Sequence, residues 1–414
     1  MEKMRHACVA CLLVTLAACV TPRAESPLTV RELTSPAGPG SGEPNLAVGP
    51  DGRVLLSWIE PAGQDRHALR YASLDASGAW SAPRTIAEGA GWFVNWADFP
   101  ALAALPDGTL FAHWLAKTGA GTYAYAVQVA RSRDHGDTWS SPVVPHRDGT
   151  PTEHGFVSMT PWGDQEMGIV WLDGRKTAGA AHDADGEAGG EMSLVHTTLG
   201  GDGRLGIESI LDGRVCDCCQ TDVARAGEAT VVVYRDRSDQ EVRDISIVRF
   251  ANGRWSAPRP IAEDGWQING CPVNGPAVAA EGGNVAVAWF TAAGDKPSVK
   301  LAFSSDSGAS FGSPIVVDDG RPLGRVDVVM LDGQAALVSW LEQGEKGAAK
   351  LRLQRIASDG SRGGSTTVAE STGARSSGFP RMARSGAKVI LAWRDASDPP
   401  KVRTAALDLA PRQD

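Results

Sequence analysis

Seven times the chain writes a short apolar run that ends in an aromatic and is followed by a polar turn. The aromatics are Trp58, Trp114, Trp171, Tyr234, Trp289, Trp340 and Trp393, spaced 56, 57, 63, 55, 51 and 53 residues apart. Repetition at about 40–50 residues with several strands per unit is the signature of a β-propeller. Within a unit, apolar residues alternate between Gly, Asp and Pro turns, as strands require. Each unit reads as four strands, so an all-β propeller of seven four-stranded blades is predicted. The alternative is six blades, with the irregular third unit (155–211) misassigned. The last unit, 378–409, has only three strands. Residues 28–33 read as its fourth, which would join the two chain ends in one blade.

The first residues read as a targeting segment. Lys3 and Arg5 are basic, the run from Ala7 to Ala18 is apolar and short, and Leu16-Ala17-Ala18 precedes Cys19. This is a signal-peptide pattern over 1–18. It resembles a bacterial lipobox, which implies that Cys19 is lipidated and that 19–414 forms a single domain. The lipid would tie the protein to a bacterial cell envelope, and Val20 leans towards the outer membrane, facing the periplasm or the cell surface. An ordinary secretory signal is the alternative. The net charge of −9 argues against a nucleic-acid partner. No P-loop, dinucleotide fingerprint, H-E-x-x-H or G-x-S-x-G element occurs, and no cofactor is expected. A monomer is expected.

Two turns fit S-x-D-x-G-x-[ST]-[WF]: Ser132-Arg133-Asp134-His135-Gly136-Asp137-Thr138-Trp139 and Ser304-Ser305-Asp306-Ser307-Gly308-Ala309-Ser310-Phe311. Here the chain resembles the Asp-box (bacterial neuraminidase repeat) propellers, which include sialidases. The resemblance covers most of the chain as a fold. It implies an arginine cluster that holds a sugar carboxylate, an Asp acid, and a Tyr nucleophile activated by a carboxylate. Two departures stand out. Glu43-Pro44-Asn45 occupies the place of an Arg-Ile-Pro motif, and no tyrosine follows Tyr234.

The repeat also says which loops should converge. Loops leading into the first strands, and loops joining second to third strands, share one face of a propeller, and loops on a rigid scaffold carry function. On that face the sequence places Arg175, Arg235, Arg243, Arg325, Arg381 and Arg394. Arg forks bind carboxylates bidentately, so an anionic ligand is expected there, and the resemblance to sialidases implies that it is an acidic glycan. The competing reading is structural ion pairs to Asp173, Asp236 and Asp395. Asp98 is the candidate acid, and Tyr234 with Glu241 or Asp236 the candidate nucleophile and its base. Tyr234 equally stands at the repeated core aromatic. A recognition protein is favoured over an active sialidase or other retaining glycosidase, which needs two catalytic groups flanking the bond.

Cys216, Cys218, Cys219 and Cys271 enter neighbouring blades at equivalent positions and should lie together. In an oxidising compartment two disulfides are expected. The C-x₂-C spacing leaves a zinc or copper(I) site open, with His154 as a possible extra ligand and a metal-handling or assembly role as a further reading. An inserted stretch, 179–190, with His182, Asp183, Asp185 and Glu187, reads as a lid or plain surface loop.

Overall fold

The computed structural model describes residues 28–179 and 191–409. Cys19, the signal segment and all but the first residue of the 179–190 insertion lie outside them. Seven antiparallel sheets follow one another around a ring. The first blade runs outward through Gly42–Val48, Val54–Pro61, Arg66–Ser73 and Arg84–Ala90. The second has Ala101–Ala104, Leu110–Lys117 and Tyr125–Ser132. Its outermost stretch makes only an isolated bridge, Val129 with Val143. Pro142 and Pro145 flank that residue, and proline has no N–H to extend a ladder.

The irregular third unit is a complete blade, His154–Trp162, Glu166–Asp173, Met192–Gly200 and Ser209–Val215, which excludes the six-blade alternative. The fourth blade opens with Asp222–Ala226 and Ala229–Arg235 and continues in Ile245–Ala251. Its edge is split between Arg254–Trp255 and Arg259–Pro260. The fifth is Ala277–Glu281, Asn284–Thr291, Ser298–Ser304 and Ile315–Val316. The sixth is Pro322–Asp332, Ala335–Gln343, Ala348–Ala357 and Thr366–Thr372.

The seventh blade closes the ring as expected. Arg381–Ser385, Lys388–Asp395 and Lys401–Asp408 come from one chain end, and Val30–Leu33 supplies the outer strand from the other. Val30 faces Leu407 and Leu33 faces Thr404 in register. Leu33 is buried there against Leu46, Trp58 and Val402.

The core lies between blades. Trp58, Trp171, Tyr234, Trp289 and Trp340 are at most 1% exposed, so the repeated aromatic fills the space between successive sheets. A buried indole N–H needs an acceptor. Trp58 donates to Glu60 (2.9 Å), Trp171 to Asp173 (2.8 Å) and Trp340 to Glu342 (2.6 Å), each two residues along the same strand. The acids that end the second strands therefore serve the blade cores.

Candidate functional site

Three aspartates, Asp98 in the loop into the second blade and Asp222 and Asp327 on the first strands of the fourth and sixth, reach across the seam to the next blade. Asp98 Oδ1 accepts the Phe156 N–H at 2.7 Å, Asp222 Oδ2 that of Val278 at 2.8 Å, and Asp327 Oδ2 that of Met382 at 2.6 Å. In each case the donor belongs to the first strand of the following blade. Burial pushes Asp98 up to about 7 and Asp222 up to about 6, and it raises Asp327 as well. Asp98 reaches Phe156 only because residue 155 is glycine. A Cβ there would lie 2.0 Å from Asp98 Oδ2. Asp98, Asp222 and Arg381 line a central cavity of about 230 Å³, together with Gln220 and Ser158.

The six arginines do not assemble into one cluster. Arg235 is 1% exposed and donates only to carbonyls, those of Asn274 (3.0 and 2.7 Å), Arg243 (2.6 Å) and Phe290 (2.7 Å), with Trp266 under its guanidinium. Arg325 donates to the carbonyls of Gly373, Ala374 and Gly378, and burial lowers it to about 10. Arg175 forks onto Asp173 at 2.6 Å and reaches Glu208 at 2.7 Å. Arg243 meets Asp217 (3.1 Å) and Glu241 (3.0 Å), and Arg394 meets Glu43 (3.3 Å). Arg381 rests over Phe99, with its Nε 3.6 Å from Asp327. The charge on Arg175, Arg243 and Arg394 is thus matched inside the protein.

Tyr234 is fully buried in the aromatic position of its blade, and its hydroxyl donates to Asp212 at 2.6 Å. Burial and the Asp212 charge raise its phenol far above the ordinary range. Glu241 is held between Arg237 (3.0 Å) and Arg243 (3.0 Å), with Arg214 at 3.5 Å. Burial opposes its ionisation, but those arginines win and lower it. Neither residue lines the central cavity.

A different tyrosine meets two carboxyls. The Tyr125 hydroxyl lies 2.7 Å from Glu153 Oε1 and 3.0 Å from Asp98 Oδ2. A phenol has one proton to give. For both contacts to be hydrogen bonds one carboxyl must be protonated, and burial, which raises Asp98 to about 7, disposes that carboxyl to take the proton. Nothing in the repeat marked Tyr125, which reads as an ordinary residue at the start of a third strand.

The cysteines converge as expected but are not bonded. No disulfide joins Cys216, Cys218, Cys219 and Cys271, contrary to the expectation of two. Cys216 Sγ is 3.3 Å from Cys219 Sγ and 3.8 Å from Cys218 Sγ. His154 belongs elsewhere: its Nδ1 meets the Thr152 carbonyl, its Nε2 lies 3.0 Å from Asp148, and its ring stacks on His146. Burial, then the adjacent His154, lowers His146 to about 4.

Above the central cavity a second one, about 240 Å³, opens between the loops of several blades. Phe93, Asn95 and Trp96 come from the loop into the second blade, Glu153 from that into the third, and Asp217 and Cys218 from that into the fourth. Cys271 belongs to the fifth and Arg375 to the loop before the seventh. Tyr123 and Thr177 come from second-to-third loops. Lead-in loops and second-to-third loops therefore do share one face. Phe93 stacks on Tyr125 at 4.0 Å, and Tyr123 sits edge-on beside it. Arg375 is exposed and forms no ion pair among the described residues.

No protein-family profile and no curated protein matches the sequence. Among solved structures, the BP39L lectin from Burkholderia pseudomallei superposes with a TM-score of 0.63 at 14% identity, covering 91% of this chain and 98% of the lectin. The polysaccharide lyase Uly1 follows at a TM-score of 0.51 and 10% identity, covering 87% and 88%. The Hadza microbial sialidase Hz136 reaches 0.44 at 13% identity, covering 73% and 63%. Identities this low establish a shared fold and leave the ligand open, and a TM-score of 0.44 carries no argument.

Proposed function

We propose that this propeller binds a glycan, seated in the upper cavity. The observation that carries the proposal is the lining itself. Aromatic rings at Phe93, Trp96 and Tyr123 offer apolar faces, and Asn95, Glu153, Thr177 and Asp217 offer polar groups, all on loops of a rigid ring. A sugar presents the matching pair of surfaces, C–H faces and hydroxyls. The cavity is smaller than the roughly 300 Å³ at which sites for drug-sized ligands begin, which suits one terminal sugar residue. The lectin and the lyase that share the fold support this ligand class.

Arg375 is the cation of this cavity, so the acidic-glycan form of the proposal rests on it rather than on the six arginines named from the sequence. A glycan array of acidic and neutral saccharides tests both forms. Binding that favours carboxylated sugars and is lost in Arg375→Ala supports the acidic form. Binding indifferent to that substitution supports a neutral sugar, and no binding to any glycan overturns the proposal. The remaining part of the proposal is cellular. Residues 1–18 act as a signal and Cys19 carries the lipid, so Cys19→Ala should release the protein from membranes.

A second reading, a glycosidase, is favoured by the Asp98–Tyr125–Glu153 chain. There a phenol adjoins a carboxyl group on each side, Glu153 and Asp98. Tyr125 is only 1% exposed, which favours binding over catalysis. Hydrolysis of an aryl glycoside that disappears in Tyr125→Phe would reverse that order.

A further inference from the structure

The loop 216–219 brings three sulfurs to one point. Cys216, Cys218 and Cys219 offer Sγ atoms that all lie within 4.8 Å of one another. Cys216 Sγ stands 3.3 Å from Cys219 Sγ and 3.8 Å from Cys218 Sγ. Four thiolates at about 2.3 Å from a tetrahedral metal stand about 3.8 Å apart. Two edges of the sulfur triangle thus already come within about 0.5 Å of the edge of such a site, and the third lies within 4.8 Å. The next blade adds a fourth sulfur at its edge. Cys271 lies within 4.8 Å of Cys218 and of an Asp217 carboxylate oxygen. Two sequence-distant loops are needed to build this group, and the ring places them side by side.

The loop is held in that shape from both ends. The Cys216 N–H donates to the Arg235 carbonyl at 3.0 Å. Gln220 donates to the Ala97 carbonyl at 2.5 Å and accepts the Gly275 N–H at 3.0 Å. A binding group fixed before its ligand arrives loses little entropy on binding. The charge is provided for as well. Three thiolates around a monovalent cation leave an excess of negative charge. Arg243, 1% exposed, sets Nη1 3.4 Å from Cys216 Sγ and 3.1 Å from Asp217. Cys218 and Cys271 also line the upper cavity, so the group opens towards solvent on one side.

We propose that Cys216, Cys218 and Cys219, with Cys271 at the open edge, bind a thiophilic d¹⁰ cation, Cu(I) or Zn(II). Thiolates select these ions over hard cations such as Mg(II) or Ca(II). Binding is a ligand exchange. Each coordinating thiol releases its proton to solvent, a metal–sulfur bond forms, and no electron is transferred. The site stands apart from the proposed saccharide seat in its chemistry, so its test needs no sugar.

The experiment uses the full-length protein, reduced and kept anaerobic. It is titrated with Cu(I) against a chromogenic chelator and, separately, with Zn(II) against a zinc indicator. Co(II) serves as a spectroscopic probe of thiolate ligation. The expected result is one equivalent of Cu(I) or Zn(II) per chain, a sulfur-to-cobalt charge-transfer band, and a higher melting temperature with metal. Which ion competes better against its chelator assigns the cation. Cys216 and Cys219 are buried, so the variants are Cys218→Ser and Cys271→Ser, each checked for an unchanged fold by circular dichroism. Cys218→Ser should weaken binding at least 100-fold, and Cys271→Ser by a smaller factor. The proposal is overturned if the reduced, folded protein binds neither ion stoichiometrically. It is equally overturned if Cys218→Ser binds as tightly as wild type.

Discussion

Asp98 accepts the backbone N–H of Phe156 at 2.7 Å, across the seam between the second and third blades. Asp222 and Asp327 repeat this contact at the fourth and sixth blades. The residue that sequence reasoning chose as a catalytic acid is thus one of three equivalent staples between blades.

The seam has a pH signature. Asp98 has an ordinary value of 3.8 and is raised to about 7 by burial. Between those values the folded protein keeps a proton that the unfolded chain has given up. The stability from this group is therefore complete below about pH 4 and is lost as pH rises to about 7. The loss is on the order of 2–4 kcal/mol. In Asp98→Asn the amide mimics the protonated carboxyl, its Oδ1 taking the Phe156 N–H and its Nδ2 donating to Tyr125. Urea unfolding at pH 4.5, 6 and 7.5 should show wild type losing ground to the variant as pH rises. Parallel curves would mean that Asp98 is ionised throughout.

Gly155 is tied to the same contact. Gly155→Ala places a methyl 2.0 Å from Asp98 Oδ2 and 2.9 Å from the Tyr125 ring. The carboxyl must move and the Phe156 N–H loses its acceptor, at a cost of about 2–4 kcal/mol. A melting temperature equal to wild type would contradict the packing described.

Arg235 should behave as a structural residue. Arg235→Ala leaves the carbonyls of Asn274, Arg243 and Phe290 without the donors they have now. The expected destabilisation is about 3–5 kcal/mol, and Arg235→Lys should not restore it, because an ammonium cannot reproduce the planar fork. Arg375→Ala, at an exposed position, should change stability by less than about 0.5 kcal/mol. Chemical denaturation of the three variants decides the matter. A fully stable Arg235→Ala would return this side chain to the list of ligand-binding candidates.

The ring closure is equally testable. Removing residues 28–35 takes away Val30–Leu33, exposes the edge of Lys401–Asp408 and empties the place of Leu33. Loss of Leu33 burial alone is worth about 2 kcal/mol. The truncated protein should melt lower and associate with time, since an unpaired edge invites pairing between copies. A truncation that matched wild type in both respects would show that the strand contributes nothing to closure.

The architecture was legible because it is written in periodic terms. Trp58, Trp171 and Trp340 recur at nearly constant spacing, each followed two residues later by its acceptor, Glu60, Asp173 or Glu342. The seam acids recur too, but hairpins of unequal length hide them. Asp98, Asp222 and Asp327 stand 16, 12 and 13 residues before their blade aromatics. The arginines misled for another reason. The sequence reports which loop holds a guanidinium, whereas its occupation depends on carbonyls brought in by the fold, as at Arg235, two of whose partners lie 39 and 55 residues away. Tyr125 carried no local mark at all. Its meeting with Asp98 and Glu153 depends on two lead-in loops closing over the end of a third strand. The cysteine cluster was legible in position, since equivalent loops of neighbouring blades must adjoin, but not in bonding state.

The most direct test of the central claim is titration calorimetry with the strongest saccharide from a glycan array, on wild type and on Tyr123→Ala. Tyr123 is 38% exposed at the rim of the upper cavity, so its removal should leave the fold intact. The account predicts saturable binding of one saccharide per chain, weakened at least tenfold, about 1.4 kcal/mol, in the variant. Binding of equal strength in both proteins would place the ligand elsewhere and contradict the account.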